Sequence, residues 1–306
     1  MKIFVEKKMM GKVNYPKLLE RFNDVDFVDT LDDNLDVEVM VTMNSTLKNI
    51  NIDQYKNLKW IQLLMAGYDN VDVDGYKNRG ILVSNARDVF STSIAEDVFS
   101  KILFFNRNTK FYLESMKSGN WSPIKKEPEL FGSTVSVLGT GSIGQEVAKR
   151  MKAFGVSKIL GYKSSAAKVP YFDETYTGER GLETVIKEAD YLIIALPLTD
   201  ETYHLIDSEK ISWMKENALL INVARGNIVD QDSLIEALKH KRIRGAGLDV
   251  TSPEPLPKTS ALWNLENVFI TPHNASSSPY MKQRLYDLTN ENLALYLTNK
   301  KPKYLL

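Results

Sequence analysis

The chain of 306 residues has three histidines and no cysteine. Disulfides, thiolate nucleophiles and thiolate metal sites are therefore excluded, and no metal site is expected. The search for a proton-transfer group is short. His240 lies in LKHKRIR, a basic helix end where the helix dipole favours a cation. His204, in DETYHLID, sits among polar residues and reads as structural. His273 follows the apolar run NVFIT and a proline, at the carboxyl end of what would be a strand. Ligands of open α/β sheets bind outside such ends, and an imidazole there can carry a proton near neutrality. Taken alone, His273 suits a buried turn histidine equally well.

Two further charged residues fall at strand ends. Arg225 follows LLINVA and precedes Gly226, and Glu254 lies in DVTSPEPLP, five residues after Asp249, among Pro253, Pro255 and Pro257, which would stiffen the loop. Separately each could be a surface charge or half of a salt bridge. Together, beside a hydride donor, they divide a reaction among them. Arg225 would clamp the carboxylate and carbonyl oxygen of an α-oxo acid with its planar fork. Glu254 would accept a hydrogen bond from the His273 imidazole and favour its charged form. The imidazolium would then protonate the carbonyl oxygen as hydride arrives.

A hydride donor requires a cofactor site, and the stretch TVSVLGTGSIG over residues 134–144 supplies a candidate. A bare G-x-G-x-x-G is weak evidence, so its context decides. Thr134 to Leu138 reads as a short buried strand. Val147, Ala148, Met151 and Phe154 recur at helical spacing up to Gly155, and KILGY over 158–162 reads as the next strand. In such a βαβ unit Gly139 permits the tight turn, Gly141 lets a diphosphate approach the backbone, and Gly144 lets helix and strand pack closely. The helix start, with Ser142 and Ile143 in its first turn, presents N–H groups and a positive dipole end to the phosphates.

The surrounding elements have to carry these residues. In the first third, KIFVE (2–6), VEVMVT (37–42), LKWIQLLM (58–65) and ILVSN (81–85) read as strands with helical patterns between them, such as YPKLLERF (15–22). Residues 91–117 hold apolar positions at helical period and predict one long connecting helix. After the loop 118–129 a second α/β unit begins at Phe131 and adds strands in DYLIIALP (190–197), ALLINVAR (218–225), GAGLDV (245–250) and NVFITPH (267–273). Residues 279–299 form an amphipathic helix expected to fold back on the first part. The fold class is α/β: two Rossmann-like, doubly wound parallel-sheet domains with a cleft between them. Composition agrees, being 43% hydrophobic and 25% charged with a formal net charge of zero. It gives no reason to expect nucleic acid or a membrane surface as a partner. The opening MKIFVEKKMMGK lacks a signal-peptide core and no run approaches a membrane span, so a cytoplasmic location is the expectation.

At this point the sequence resembles the D-isomer-specific 2-hydroxyacid dehydrogenases. The resemblance spans almost the whole chain and rests on AGYDNVD (66–72), IAED (94–97), GNW (119–121), ELFGSTVSVLGTGSIG (129–144), LPLTDETYHLI (196–206), INVARGNIVDQDSLIEAL (221–238), GAGLDVTSPEPLP (245–257) and NVFITPHNAS (267–276). It implies a discontinuous, flavodoxin-like substrate domain over 1–90 and 276–306, a dinucleotide-binding Rossmann domain over 91–275, and a homodimer. It puts the family's catalytic Arg, Glu and His on Arg225, Glu254 and His273. It places Ala66 and Gly67 where backbone N–H groups would hold the substrate carboxylate. Cofactor contacts would fall on the glycine loop, on Ala195, Leu196 and Pro197, on Val223 and Ala224, on Asp249, and on Ala275 and Ser276. Formate-oxidising relatives carry Gln where this chain has Glu254, which argues against formate.

One departure bears on the cofactor. NAD-preferring members end the second cofactor strand with an acidic residue that binds the ribose 2′-OH. This chain reads GYKSS there, with Lys163, Ser164 and Ser165. No carboxylate repels a 2′-phosphate and an ammonium stands ready to attract one, so NAD(P) is expected with NADP favoured. The blander reading has Lys163 facing solvent. The resulting function is interconversion of a small 2-oxoacid and a D-2-hydroxyacid, of the glyoxylate, hydroxypyruvate or branched-oxoacid type. Phosphoglycerate oxidation is the alternative, with Arg87 as a candidate phosphate ligand. A cofactor-sensing corepressor is the alternative of another class.

Overall fold

The computed structural model describes residues 1–165 and 167–306. Contacts along the backbone divide the chain into two units, Met1–Phe90 with Ser277–Leu306, and Ser91–Ser276.

The first unit is built on five parallel strands, β1 (Lys2–Val5), β2 (Asp26–Val28), β3 (Val39–Thr42), β4 (Trp60–Leu63) and β5 (Leu82–Ser84), in the order β2-β1-β3-β4-β5. Helices α1 (Lys7–Arg21), α2 (Asn44–Lys48) and α3 (Val73–Asn78) connect them. Every residue of β3 and β4 is buried, as expected of central parallel strands covered on both faces. Trp60 at the start of β4 is wholly buried, and its indole N–H donates to Ser84 Oγ at 2.9 Å.

The second unit opens with two helices, α4 (Ser91–Asn106) and α5 (Thr109–Ser118). The single helix expected over 91–117 is therefore broken. Asn108 adopts a left-handed conformation (φ 46°) and reorients the chain there, a role open to Asn because its short side chain tolerates that region. Next come β6 (Thr134–Leu138), α6 (Ser142–Ala153), β7 (Lys158–Tyr162), β8 (Glu174–Tyr176), α7 (Gly178–Glu188) and β9 (Tyr191–Ile194). Then follow α8 (Ser208–Trp213), β10 (Leu219–Asn222), α9 (Gln231–Lys239), β11 (Gly245–Leu248) and β12 (Val268–Ile270). All seven strands are parallel, in the order β12-β11-β10-β9-β6-β7-β8. The chain builds outward from β6 through β7 to β8, then crosses back to β9 on the other side of β6. That reversal makes a switch point at the carboxyl ends of β6 and β9, where ligands of such sheets bind. The edge strands β2 and β8 have three residues each and were not anticipated, because DFV and ETY are too short to show a period.

The last helix, α10 (Met281–Leu297), belongs to the first unit and packs on α1, where Asn14 Nδ2 donates to the Lys282 carbonyl at 3.1 Å. Tyr296 stacks on Trp60 with ring centroids 5.1 Å apart, and Asn292 Nδ2 donates to Gln62 Oε1 at 2.7 Å. Among the described residues, no helix is long and apolar enough to cross a membrane.

Candidate active site

The glycine loop shows three separable demands. Gly139, directly after β6, has φ +102°, and a Cβ on it would lie 2.4 Å from the Ala195 carbonyl oxygen. Glycine is required there both for the backbone angle and for the approach of the β9 end. A Cβ on Gly144 would lie 2.1 Å from the Gly139 carbonyl oxygen, so this glycine lets α6 close on the loop. Gly141 differs, because no such neighbour lies within 4 Å of the point its Cβ would occupy. It is the N-cap of α6 and no side chain caps the helix, so the first-turn N–H groups, those of Ser142 and Ile143 among them, border open space. This cradle fits a diphosphate, which the helix dipole would stabilise further.

The remaining residues expected at the cofactor also sit at carboxyl ends of strands. Lys163, Ser164 and Ser165 follow β7; the Lys163 N–H is held by the Tyr176 carbonyl at 3.1 Å, and the two serines are exposed. Ala195, Leu196 and Pro197 follow β9, with the Ala195 N–H donating to the Leu138 carbonyl at 2.7 Å. Val223 and Ala224 follow β10 and are buried, as is Ala275 beyond β12. The Ser276 carbonyl accepts from Ser93 Oγ at 3.2 Å.

Arg225, Glu254 and His273 follow the adjacent strands β10, β11 and β12. Two contacts draw their loops together. A Cβ on Gly226 would lie 2.0 Å from the Thr251 carbonyl oxygen, so only glycine lets the Arg225 turn rest on the backbone leading to Glu254. The second contact is direct: Glu254 Oε2 lies 2.7 Å from His273 Nδ1. Glu254 is itself oriented by the Thr251 N–H, which donates to its Oε1 at 3.1 Å. With Nδ1 facing a carboxylate, Nε2 is the ring atom left for a ligand, and the His273 side chain is 47% exposed, so it can be reached. Arg225 Nη1 donates to the Ala224 carbonyl at 2.7 Å. Of the other histidines, His240 caps the carboxyl end of α9 and is exposed. His204 stacks on Tyr203 at 4.1 Å and faces Asp230 at 3.4 Å, consistent with a structural role.

Asp249, directly after β11 and buried, organises this end of the sheet. Its Oδ1 accepts from the Asn274 N–H at 2.8 Å and from Thr271 Oγ1 at 2.6 Å, its Oδ2 accepts from the Ala275 N–H at 3.0 Å, and its carbonyl accepts from the His273 N–H at 2.8 Å. Asn222, which the sequence did not single out, shapes the neighbouring turn. Its Oδ1 accepts from the Ala224 N–H at 3.1 Å and its Nδ2 donates to the Arg225 carbonyl at 2.9 Å. Ala66 and Gly67 lie in the first unit after β4, where Asn85 Nδ2 donates to the Ala66 carbonyl at 2.7 Å and Asn44 Nδ2 to the Gly67 carbonyl at 2.9 Å. Both asparagines fix the peptide planes of that loop, and neither carries a spacing signal. Arg87 is in the same unit, with its guanidinium 5.8 Å from the centre of the Tyr304 ring.

The family model for the NAD-binding domain of D-isomer specific 2-hydroxyacid dehydrogenases matches residues 99–275. The chain belongs to that family. It is accordingly an NAD(P)-dependent oxidoreductase working between a 2-oxoacid and a D-2-hydroxyacid. A glyoxylate reductase from Pyrococcus furiosus is 36% identical over 299 residues, covering 95% of this chain and 84% of that protein. A D-3-phosphoglycerate dehydrogenase from Methanocaldococcus jannaschii is 39% identical over 251 residues, covering 79% of this chain but only 46% of that protein. Among solved structures, an NADPH-dependent glyoxylate/hydroxypyruvate reductase from Sinorhizobium meliloti, in complex with NADP and malonate, superposes with a TM-score of 0.78. It is 29% identical over 100% of this chain and 96% of that one. In this 2-hydroxyacid dehydrogenase the strand-end residues thus stand on the expected type of fold.

Proposed function

We propose that the protein reduces a small, unphosphorylated 2-oxoacid of the glyoxylate, hydroxypyruvate or branched-chain type to the D-2-hydroxyacid, with NADPH favoured over NADH. The observation that carries this reading is the 2.7 Å pair of His273 and Glu254 at the carboxyl end of the sheet. The bound nicotinamide supplies hydride. His273, with Nδ1 held by Glu254, presents Nε2 as the acid that protonates the carbonyl oxygen, and in the reverse direction as the base that removes the proton. Arg225 binds the carboxylate and polarises the carbonyl with its fork. The loop at Gly139, Gly141 and Gly144 takes the diphosphate, Lys163 with Ser164 and Ser165 the adenosine ribose and its 2′-phosphate, and Asp249, Ala275 and Ser276 the nicotinamide.

The same reading includes a cytoplasmic homodimer whose interface involves α5 and the segment after it. Its support is the group of solvent-facing apolar side chains there: Trp121 is 98% exposed, Met116 75% and Leu113 50%, residue types that a protein interface covers. Steady-state oxidation of NADPH and NADH against glyoxylate, hydroxypyruvate, 2-oxoisovalerate and 3-phosphohydroxypyruvate tests the proposal. Turnover of the first three, fastest with NADPH, is expected. Turnover confined to the phosphorylated acid would replace the substrate assignment. Cofactor binding without any turnover would favour a sensor.

A further inference from the structure

Lys101 is wholly buried in α4, between Val98 and Ile102, which are also wholly buried. Its stem lies flat on β11: a Cβ on Gly247 would come within 2.8 Å of Lys101 Cβ. An ammonium removed from water is costly unless paired and hydrogen-bonded, and an apolar side chain would fill this position equally well. The charge therefore calls for a reason beyond packing. Nζ donates to Asp97 Oδ2, one turn earlier on the same helix, and to Thr271 Oγ1 at 2.8 Å. It also lies 5.7 Å from the centre of the Phe269 ring.

The direction of the hydrogen bonds is fixed by chemistry. An ammonium only donates, so the Thr271 oxygen must accept from it and turn its own proton elsewhere. That proton goes to Asp249 Oδ1 at 2.6 Å. The same carboxylate takes the Asn274 and Ala275 N–H groups, and the segment it holds includes His273, whose φ of +51° is uncommon for a residue with a Cβ. Such a conformation persists where the surroundings over-determine it. The two carboxylates at the ends of the bridge also feel one another: burial pushes the Asp97 carboxyl up, Lys101 opposes this, and the charge of Asp249 adds to it.

We propose that Lys101 is a positioning residue for the proton donor: its buried ammonium orients Thr271 toward Asp249, and the Asp249 carboxylate so oriented holds the backbone of residues 273–275 and with it His273. Without Lys101 nothing fixes the Thr271 hydroxyl as an acceptor on that side, and its proton is no longer committed to Asp249.

The inference rests on the reading of His273 given above, so the test includes a readout independent of the reaction. Two variants are used, Asp97→Leu with Lys101→Met, which replaces the ion pair by apolar groups of similar volume, and Thr271→Val, which leaves the ion pair and cuts the bridge. In both, amide hydrogen exchange of Asn274 and Ala275 is expected to quicken about tenfold or more, the effect of losing one hydrogen bond to a charged group. The kcat for 2-oxoacid reduction is expected to fall about tenfold, with KM changed by no more than about twofold, because Arg225 is untouched. Parental exchange at both amides in a folded variant overturns the inference. So does a fall in kcat with protection intact, or lost protection with kcat unchanged. If the double variant does not fold, Asp97→Asn with Lys101→Gln, which removes both charges and keeps polar side chains of similar size, takes its place. If the parent protein turns over no 2-oxoacid, the functional reading fails while the exchange data still settle whether Lys101 holds the segment.

Discussion

Replacing Gly141 and Gly144 separately by alanine should produce opposite failures. A Cβ on Gly144 would sit 2.1 Å from the Gly139 carbonyl oxygen, so α6 or the loop must move by about 1 Å to restore an ordinary contact, an overpacking worth about 1–3 kcal/mol. For a unit of this size that corresponds to a fall in Tm of about 3–10 °C. Gly141 has φ −72° and no such neighbour within 4 Å of its Cβ position. Alanine adopts that backbone, and exchanging Gly for Ala at an N-cap costs only up to about 1 kcal/mol. Gly141→Ala should therefore melt within about 3 °C of the parent. The added methyl, however, occupies the space proposed for the diphosphate and displaces it from the first-turn N–H groups, weakening NADPH binding about tenfold or more. Melting followed by circular dichroism and titration of NADPH fluorescence measure the two effects. Parental NADPH affinity in Gly141→Ala would show that the diphosphate does not lie over this loop, whatever happens to Gly144→Ala.

Three other substitutions address separate parts of the account. Lys163→Asp should reverse a preference for NADPH of roughly tenfold, the worth of one exposed charge-assisted contact, and the parental preference should shrink as salt rises; equal, salt-insensitive use of both cofactors by the parent and the variant would mean that Lys163 faces away from the ribose. Arg225→Lys keeps the charge but loses the fork, so KM for the oxoacid should rise and kcat fall while NADPH affinity holds; a matching loss of NADPH affinity would make the arginine structural. Asp230 caps α9 and accepts from the Ser233 N–H at 2.8 Å, and bonds from Ser233, with a smaller pull from His204, hold its carboxyl below the ordinary range. A depressed carboxyl stabilises the fold fully above its unfolded value of about 4 and progressively less below it, so Asp230→Ala should cost about 1 kcal/mol at pH 7 and less at about pH 3, read from urea unfolding; a cost that grows on acidification would contradict the sign.

The central strands were legible because burial on both faces leaves a continuous apolar signature. KILGY became β7 residue for residue, while DYLIIALP and ALLINVAR hold β9 and β10 only in their YLII and LLIN cores. The break between α4 and α5 was not, since apolar spacing continues across Asn108 and only its left-handed backbone interrupts the helix. Arg225, Glu254 and His273 stood out in the sequence as candidates because each lies in a loop after an apolar run, and the structure brings two of them, Glu254 and His273, within 2.7 Å of each other. The residues that hold the candidate loops in shape were hidden. Lys101 in IAEDVFSKILFF reads as the solvent side of a helix, although its apolar neighbours and Asp97 four residues earlier were a faint pointer to a buried pair. Asn44, Asn85 and Asn222 act by hydrogen bonds to distant or turn backbone, which no spacing rule encodes.

The most direct test of the account is the turnover of His273→Ala with the best 2-oxoacid of the panel and saturating NADPH, beside the Kd for NADPH from fluorescence titration. Loss of a positioned general acid predicts a kcat lower by roughly 10²–10⁴-fold with the Kd for NADPH nearly unchanged. Near-parental kcat in this variant would contradict the assignment of His273 as the proton donor and, with it, the mechanism built on its pairing with Glu254.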